Sequence, residues 1–201
     1  MKKLLYLGLA LVMFSFISAD NSLTKKERKM ATDFLKKTET GVEKAIAGLS
    51  ADQLAFQETD SSWSVDGCVK HIAITEKMLW GMVEKAVNSP ANPEKRANIK
   101  ASDEEVIKML EDRSHKVKTQ EAMKPENTPF ATEEALKSFK EDREKLISYV
   151  NSTKDDLRNH VIELPFGSFD AYQMILFIGA HSNRHTQQID EVKSQADFPK
   201  N

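Results

Sequence analysis

The segment Ala171–Ile189, AYQMILFIGAHSNRHTQQI, constrains the fold of this chain more than any other stretch. It is apolar over most of its length, yet it carries two histidines four residues apart, His181 and His185. On a helix, residues at i and i+4 point the same way. At about 100° per residue, Ile178, His181, His185, Ile189 and Val192 all fall within about 60° of Met174. The two imidazoles therefore lie inside the stripe that a fold must bury, where an unpartnered polar ring is expensive. Any architecture of this chain has to satisfy them.

Spacing of apolar residues predicts three further long helices and a shorter one. The first runs from about Thr24 to Leu49 through Met30, Phe34, Val42 and Ile46. Ala51–Ser62 reads as a polar connection ending at Trp63, after which Ser64 caps a second helix. Its apolar face is Val65, Cys68, Val69, Ile72, Leu79 and Val83, and it fades before Asn88-Ser89-Pro90. Ser102-Asp103-Glu104-Glu105 is a capping box that opens a shorter helix carrying Val106, Ile107, Leu110 and Val117. Pro125 and Pro129 bound a loop, and Thr132-Glu133-Glu134-Ala135 starts a helix through Leu136, Phe139, Leu146, Ile147 and Val150. A loop with His160, Pro165 and Gly167 leads to Asp170, which caps the histidine-bearing helix. No repeat and no convincing strand is visible. The expected fold is all-α, a four-helix bundle with an additional short helix between the second and third main helices.

Lys2 and Lys3 precede an apolar run from Leu4 to Ile17, followed by Ser18, Ala19 and Asp20. This is the pattern of a secretory signal peptide over residues 1–19, and the run is short for a membrane span. The expectation is export to a periplasmic or extracellular space, with no stable membrane association after cleavage. Residues 20–201 then suffice for one domain with a sizeable core. With 29 basic and 31 acidic residues the net charge is −2, so there is no nucleic-acid footprint. A lone cysteine, Cys68, rules out an intrachain disulfide framework.

The other histidines differ among themselves. His115 falls opposite Val106, Leu110 and Val117 and reads as a surface residue; His160 follows Leu157 in a loop, where hydrogen bonding or exposure is the default. His71 lies at the edge of the second helix's apolar face. Alone it reads as a boundary histidine bonded to a carbonyl. A third imidazole from a facing helix, however, would complete a three-histidine metal site of the kind built in bundle cores. The residues between His181 and His185 are Ser182, Asn183 and Arg184, so the glutamate of an HExxH protease is absent. No Glu-x-x-His occurs either, which removes a ferritin-like di-iron site. Cys68, one turn before His71, could in principle be a fourth ligand, but its bearing is about 60° off, further into the apolar face, and it reads as a small buried hydrophobe. Glu76 falls near the centre of the second helix's apolar stripe, where a carboxylate needs a partner. It is a candidate for a catalytic base or for orienting an imidazole, and pairing with Arg143 or Arg184 is its other reading. Gln188 and Asn183 are candidate donors to the ligands.

Trp63-Ser64, His71-Ile72-Ala73 and His181-Ser-Asn-Arg-His185-Thr-Gln-Gln-Ile189 together resemble the DinB-like (YfiT-type) superfamily of metal-binding helical bundles. The resemblance covers roughly residues 23–193, and its closing motif H-x-x-R-H-x-x-Q-I is the specific part. It implies an up-down-down-up bundle, a homodimer, and one divalent metal held by His71, His181 and His185. Three histidines leave a coordination position open, as catalytic zinc sites do. Imidazole suits zinc, nickel, iron and copper, so the ligands do not choose the ion; zinc and nickel are the first expectations. Two classes of function follow from the resemblance. One is an enzyme, either a metal-dependent hydrolase or a thiol-dependent S-transferase such as cytosolic relatives; export argues against the thiol branch, because an oxidising compartment disfavours small thiols. The other is a non-catalytic metal-binding or stress-associated bundle. A bundle whose histidines only hydrogen-bond one another also stays open at this point, and the substrate is unknown.

Overall fold

The computed structural model describes residues 22–59, 62–115, 117–128 and 130–200. The expected leader, residues 1–19, lies outside the described residues, as does Pro129. Four long helices form the bundle: α1 (Lys25–Ile46), α3 (Val65–Val87), α5 (Thr132–Ser152) and α6 (Ala171–Lys193). The short α4 (Asp103–Glu111) stands between the second and third of them, as expected, and α2 (Ala51–Ala55) is a single further turn.

Side-chain caps set most of the helix starts. Thr24, Ser102 and Asp170 accept from the backbone three residues on, and the side chains of Glu27, Glu105 and Gln173 return the bond. Ser64 caps α3 through the Gly67 N–H at 3.0 Å. Gly48, at φ 74°, takes the left-handed position just past the end of α1, a conformation that costs a residue without a Cβ little.

Long-range bonds fix the helix directions. Tyr172 donates to the Glu27 carbonyl at 2.9 Å and Lys193 to the Ala45 carbonyl at 2.8 Å, so α1 and α6 run parallel. Thr132 pairs with Asp66, and Tyr149 meets Trp80 edge to face at 4.9 Å between ring centroids, so α3 and α5 also run parallel. Lys140 pairs with Glu43, and Arg28 donates to the Val150 carbonyl, so α5 opposes α1. In chain order the long helices run up, down, down, up.

Two apolar clusters fill the bundle. One gathers Leu35, Leu79, Leu146 and the stretch from Ala171 to Ile178; the other gathers Val42, Val65, Ile72, Phe139 and Ile189. Each fully buried aliphatic or aromatic side chain contributes about 1.5–3 kcal/mol. Helix α6 packs on α1, α3 and α4, so every residue from Ala171 to Ala180 is buried. That explains a run apolar on nearly all sides rather than along one stripe. At Gly179 a Cβ would stand 2.8 Å from the Phe34 ring, so a glycine there permits the close approach of α1.

A polar layer separates the two clusters. Arg143 of α5 is fully enclosed and donates to both oxygens of Glu76 on α3, at 2.6 and 2.8 Å. It also donates to the Leu35 carbonyl and Thr38 hydroxyl of α1 and to the Ser182 hydroxyl of α6, at 2.8, 2.7 and 3.0 Å. One residue or more from each of the other three long helices therefore meets a single guanidinium, and all five of its N–H bonds have acceptors.

Three expectations need correction. Residues 51–62 are not all connection: Ser50 and Gln53 form a capping box that starts α2. The loop before α6 holds a two-stranded antiparallel hairpin, β1 (Val161–Leu164) and β2 (Gly167–Asp170), with Val161 opposite Asp170 and Leu164 opposite Gly167. The hairpin feeds straight into α6, because Asp170 ends β2 and caps the helix. Helix α4 stops at Glu111, so Val117 belongs to no helix and is 76% exposed. The capture of carbonyls at the end of α4 by Arg184, described below, accounts for this.

Candidate metal centre

The helix α3 presents His71 inward one and a half turns from its start, and α6 presents His181 and His185 from the facing antiparallel helix. The structure brings the three together: one ligand nitrogen from each lies within 4.8 Å of the others. The Nε2 atom of His181 is 3.3 Å from that of His71 and 3.2 Å from that of His185. A tetrahedral ion with Zn–N bonds of about 2.0–2.1 Å spaces its ligand nitrogens by roughly 3.3 Å. His181 already stands at that separation from each of the other two.

The outer nitrogens decide what the inner ones can do. His71 Nδ1 faces the Met123 carbonyl at 2.7 Å, and His185 Nδ1 faces Gln188 Oε1 at 2.9 Å. Both partners are acceptors, so in a neutral ring the proton sits on Nδ1 and Nε2 keeps its lone pair. The Thr75 hydroxyl donates to the His71 carbonyl, which leaves its own lone pair facing His181 Nδ1 at 3.4 Å and selects the same tautomer there. These tautomers are assigned from hydrogen-bond partners. Three Nε2 lone pairs thus converge with no proton to separate them.

Charge on the rings does not relieve this. Burial pushes His71 down, pushes His181 to about 3, and pushes His185 well below the usual imidazole range; in the last two, neighbouring imidazoles push further the same way. All three are neutral near pH 7. A trio held together only by hydrogen bonds among its Nε2 atoms needs a proton that the outer partners and the burial both oppose. Neutral imidazoles with converging lone pairs are instead the donor set of a cation, and the residues present fit one.

Trp63 lies over the cluster, its ring 4.6 Å from that of His71 and 5.7 Å from that of His185. A cleft of about 810 Å³ opens beside it, lined by Trp63, His185, Gln188, Arg113, Lys118 and Lys124 among others. The site therefore meets an open space of small-molecule size.

The remaining candidates separate cleanly. Glu76 is not beside the imidazoles: both its oxygens accept from Arg143, which corrects its reading as a base or ligand-orienting group and selects Arg143 over Arg184 as its partner. Arg184 donates to the carbonyls of Leu110, Asp112 and His115 instead. Cys68 is buried among Val65, Val69 and Ile72, outside the donor cluster, and burial pushes its thiol up to about 12. His115 is exposed at the cleft rim. His160 is held between the Asp156 and Ser89 carbonyls at 2.7 and 3.1 Å. Asn183 donates to Glu111 at 2.7 Å, away from the imidazoles, and Gln188 does contact one of them, His185, but as an acceptor. Sequence reading missed Met123 and Thr75. Met123 acts through its carbonyl, which any residue supplies, whereas Thr75, one turn after His71, is a signal that could have been used.

A family model described as the DinB superfamily matches residues 35–189. The chain belongs to the DinB superfamily. Within reach of this DinB chain is the uncharacterized protein YuaE of Bacillus subtilis (strain 168), 25% identical over 151 residues, which span 75% of this chain and 89% of YuaE. Among solved structures, YfiT from Bacillus subtilis matches with a TM-score of 0.59 at 15% identity, over 89% of this chain and 92% of that one. YfiT is described as a probable metal-dependent hydrolase with an unusual four-helix bundle topology. At that identity the likeness shows a shared fold, and the up-down-down-up order of this DinB bundle rests on its own helix pairings.

Proposed function

We propose that this protein binds one divalent metal ion through His71, His181 and His185 and uses it in hydrolysis of a small molecule held in the adjoining cleft. The observation that carries the reading is the convergence of three Nε2 lone pairs, with that of His181 3.2–3.3 Å from the other two and each ring fixed by a partner on its Nδ1. A divalent ion there supplies a Lewis acid with a position left over to activate water. The chain's own side chains do the rest: Thr75, Gln188 and the Met123 carbonyl orient the imidazoles, and Trp63 shields them on one side. The description of YfiT as a probable hydrolase supports the same reaction class. The N-terminal pattern supports export, where hydrolysis is better suited than transfer to a small thiol.

Cobalt substitution tests the open position. Cobalt-loaded protein is expected to change its visible spectrum on adding acetohydroxamate, and zinc-loaded protein to hydrolyse members of an ester and amide panel in a way that dipicolinate abolishes. A spectrum indifferent to acetohydroxamate, with no turnover on the panel, overturns the catalytic reading and leaves a metal-binding bundle.

A further inference from the structure

The closing motif H-x-x-R-H-x-x-Q contains two residues that are not ligands, Arg184 and Gln188, and the structure connects them through a third. Arg184 donates to the carbonyls of Leu110 and His115 at 3.2 and 2.7 Å and to that of Asp112. These bonds pin the chain leaving α4 against α6 and deliver Arg113 to the cleft wall. Arg113 is clamped there by Glu191, with Nε to Oε1 at 2.6 Å and Nη2 to Oε2 at 2.5 Å. Its remaining arm, Nη1, reaches Gln188 Oε1 at 3.4 Å, and the same oxygen accepts from His185 Nδ1 at 2.9 Å.

We propose that Arg113 is a positioning residue for the metal centre: it holds the Gln188 carboxamide with its oxygen toward His185 and thereby fixes the tautomer that leaves His185 Nε2 free to bind an ion. A carboxamide has two nearly isosteric ends of opposite hydrogen-bond sense. With the oxygen toward His185, Nδ1 carries the proton and Nε2 offers a lone pair. With the NH₂ toward His185, Nδ1 must accept, the proton moves to Nε2, and the ring no longer presents a donor atom to the cluster. Nothing in the His185–Gln188 pair itself prefers one arrangement, because each satisfies one hydrogen bond. The Arg113 guanidinium breaks the tie: it is donor-only and positively charged, so it faces the amide oxygen favourably and the NH₂ unfavourably. Glu191 fixes the direction of the guanidinium, and Arg184 fixes the loop that carries it. Outer partners of this kind commonly alter metal affinity roughly 10- to 100-fold when removed.

The inference rests on the three-histidine reading, and the experiment separates the two. Arg113→Met is compared with the parent, with Gln188→Glu, and with the double variant Arg113→Met/Gln188→Glu. The first readout is the ¹⁵N shifts of the His185 ring in metal-free protein; the second is zinc affinity by competition against a chelator. The parent is expected to show the Nδ1–H form. Arg113→Met is expected to show a substantial Nε2–H population and a roughly 10- to 100-fold weaker zinc affinity. Glutamate has an oxygen whichever way it turns, so the double variant is expected to regain the Nδ1–H form and most of the affinity. An Arg113→Met protein with the parent's tautomer overturns the proposal, and so does an affinity loss that Gln188→Glu fails to rescue. A parent that binds no zinc overturns the three-histidine reading instead, while the tautomer measurement still decides the role of Arg113.

Discussion

Replacing Glu76 by glutamine is expected to destabilise this bundle strongly for a change of a single atom. Burial pushes the Glu76 carboxyl up and the Arg143 guanidinium pulls it down. Both of its oxygens accept from N–H donors, so the geometry accommodates only the ionised form. Glu76→Gln keeps the shape but leaves the Arg143 charge uncompensated and puts an NH₂ against a donor. Removing one partner of a buried ion pair costs about 3–5 kcal/mol. In a domain of this size, 1 kcal/mol moves the melting temperature by about 2–4 °C, so the expected fall is roughly 6–20 °C. Urea unfolding followed by circular dichroism measures it as a lower midpoint at unchanged slope. The double change Glu76→Leu/Arg143→Met, which removes the charges together, is expected to regain most of the loss, because a well-packed apolar pair can replace a buried ionic one. A Glu76→Gln protein that melts within a degree or two of the parent refutes the cross-link. One that stays fully stable but loses turnover returns Glu76 to the role of a base.

Three further outcomes follow from the same structure. In metal-free protein burial lowers the pKa values of His71, His181 and His185 below 6.5, that of His181 to about 3. The unfolded chain therefore binds more protons between those limits, and stability should be full above pH 6.5 and fall as pH drops toward 3, by up to about 1.4 kcal/mol per pH unit per histidine; a urea midpoint that rises between pH 7.5 and pH 5 contradicts this. Cys68 is fully enclosed with its thiol pushed up to about 12, so a disulfide reagent should label it only at the rate of unfolding, and labelling within seconds in native buffer would show the packing to be wrong. Arg158 pairs with Glu27 and Asp103 at 2.7 Å and with Asp170 at 3.0 Å, gathering the starts of α1, α4 and α6. Arg158→Met should lower unfolding free energy by roughly 1–3 kcal/mol, less than a fully enclosed pair because its side chain is 24% exposed, and an unchanged melting curve would rule this out.

Much of this was legible in the residues because the deciding forces are local. Caps at Thr24, Ser64, Ser102 and Asp170 act within three residues, and the i, i+4 pair His181/His185 declares its own geometry on a helix. His71 was legible as a candidate because it lies at the edge of the second helix's apolar face and within the motif of the family resemblance. What stayed hidden was decided at long range. The end of α4 is set by Arg184, about seventy residues away in sequence, and local spacing alone carried the expected helix on to Val117. The strands β1 and β2 have four residues each, too few for a period of two to stand out. Ser50-x-x-Gln53 was a readable cap whose helix is only one turn long. Glu76 announced that it needed a partner, but only the packing of α3 on α5 chose Arg143.

The three-histidine centre is tested most directly by elemental analysis of protein purified without a metal-affinity tag, beside its His71→Ala and His181→Ala variants. The parent is expected to carry one divalent ion per chain and each variant far less, with the variants still folded. Stoichiometric metal that survives both changes, or a folded parent that takes up none when the ion is supplied, would contradict it.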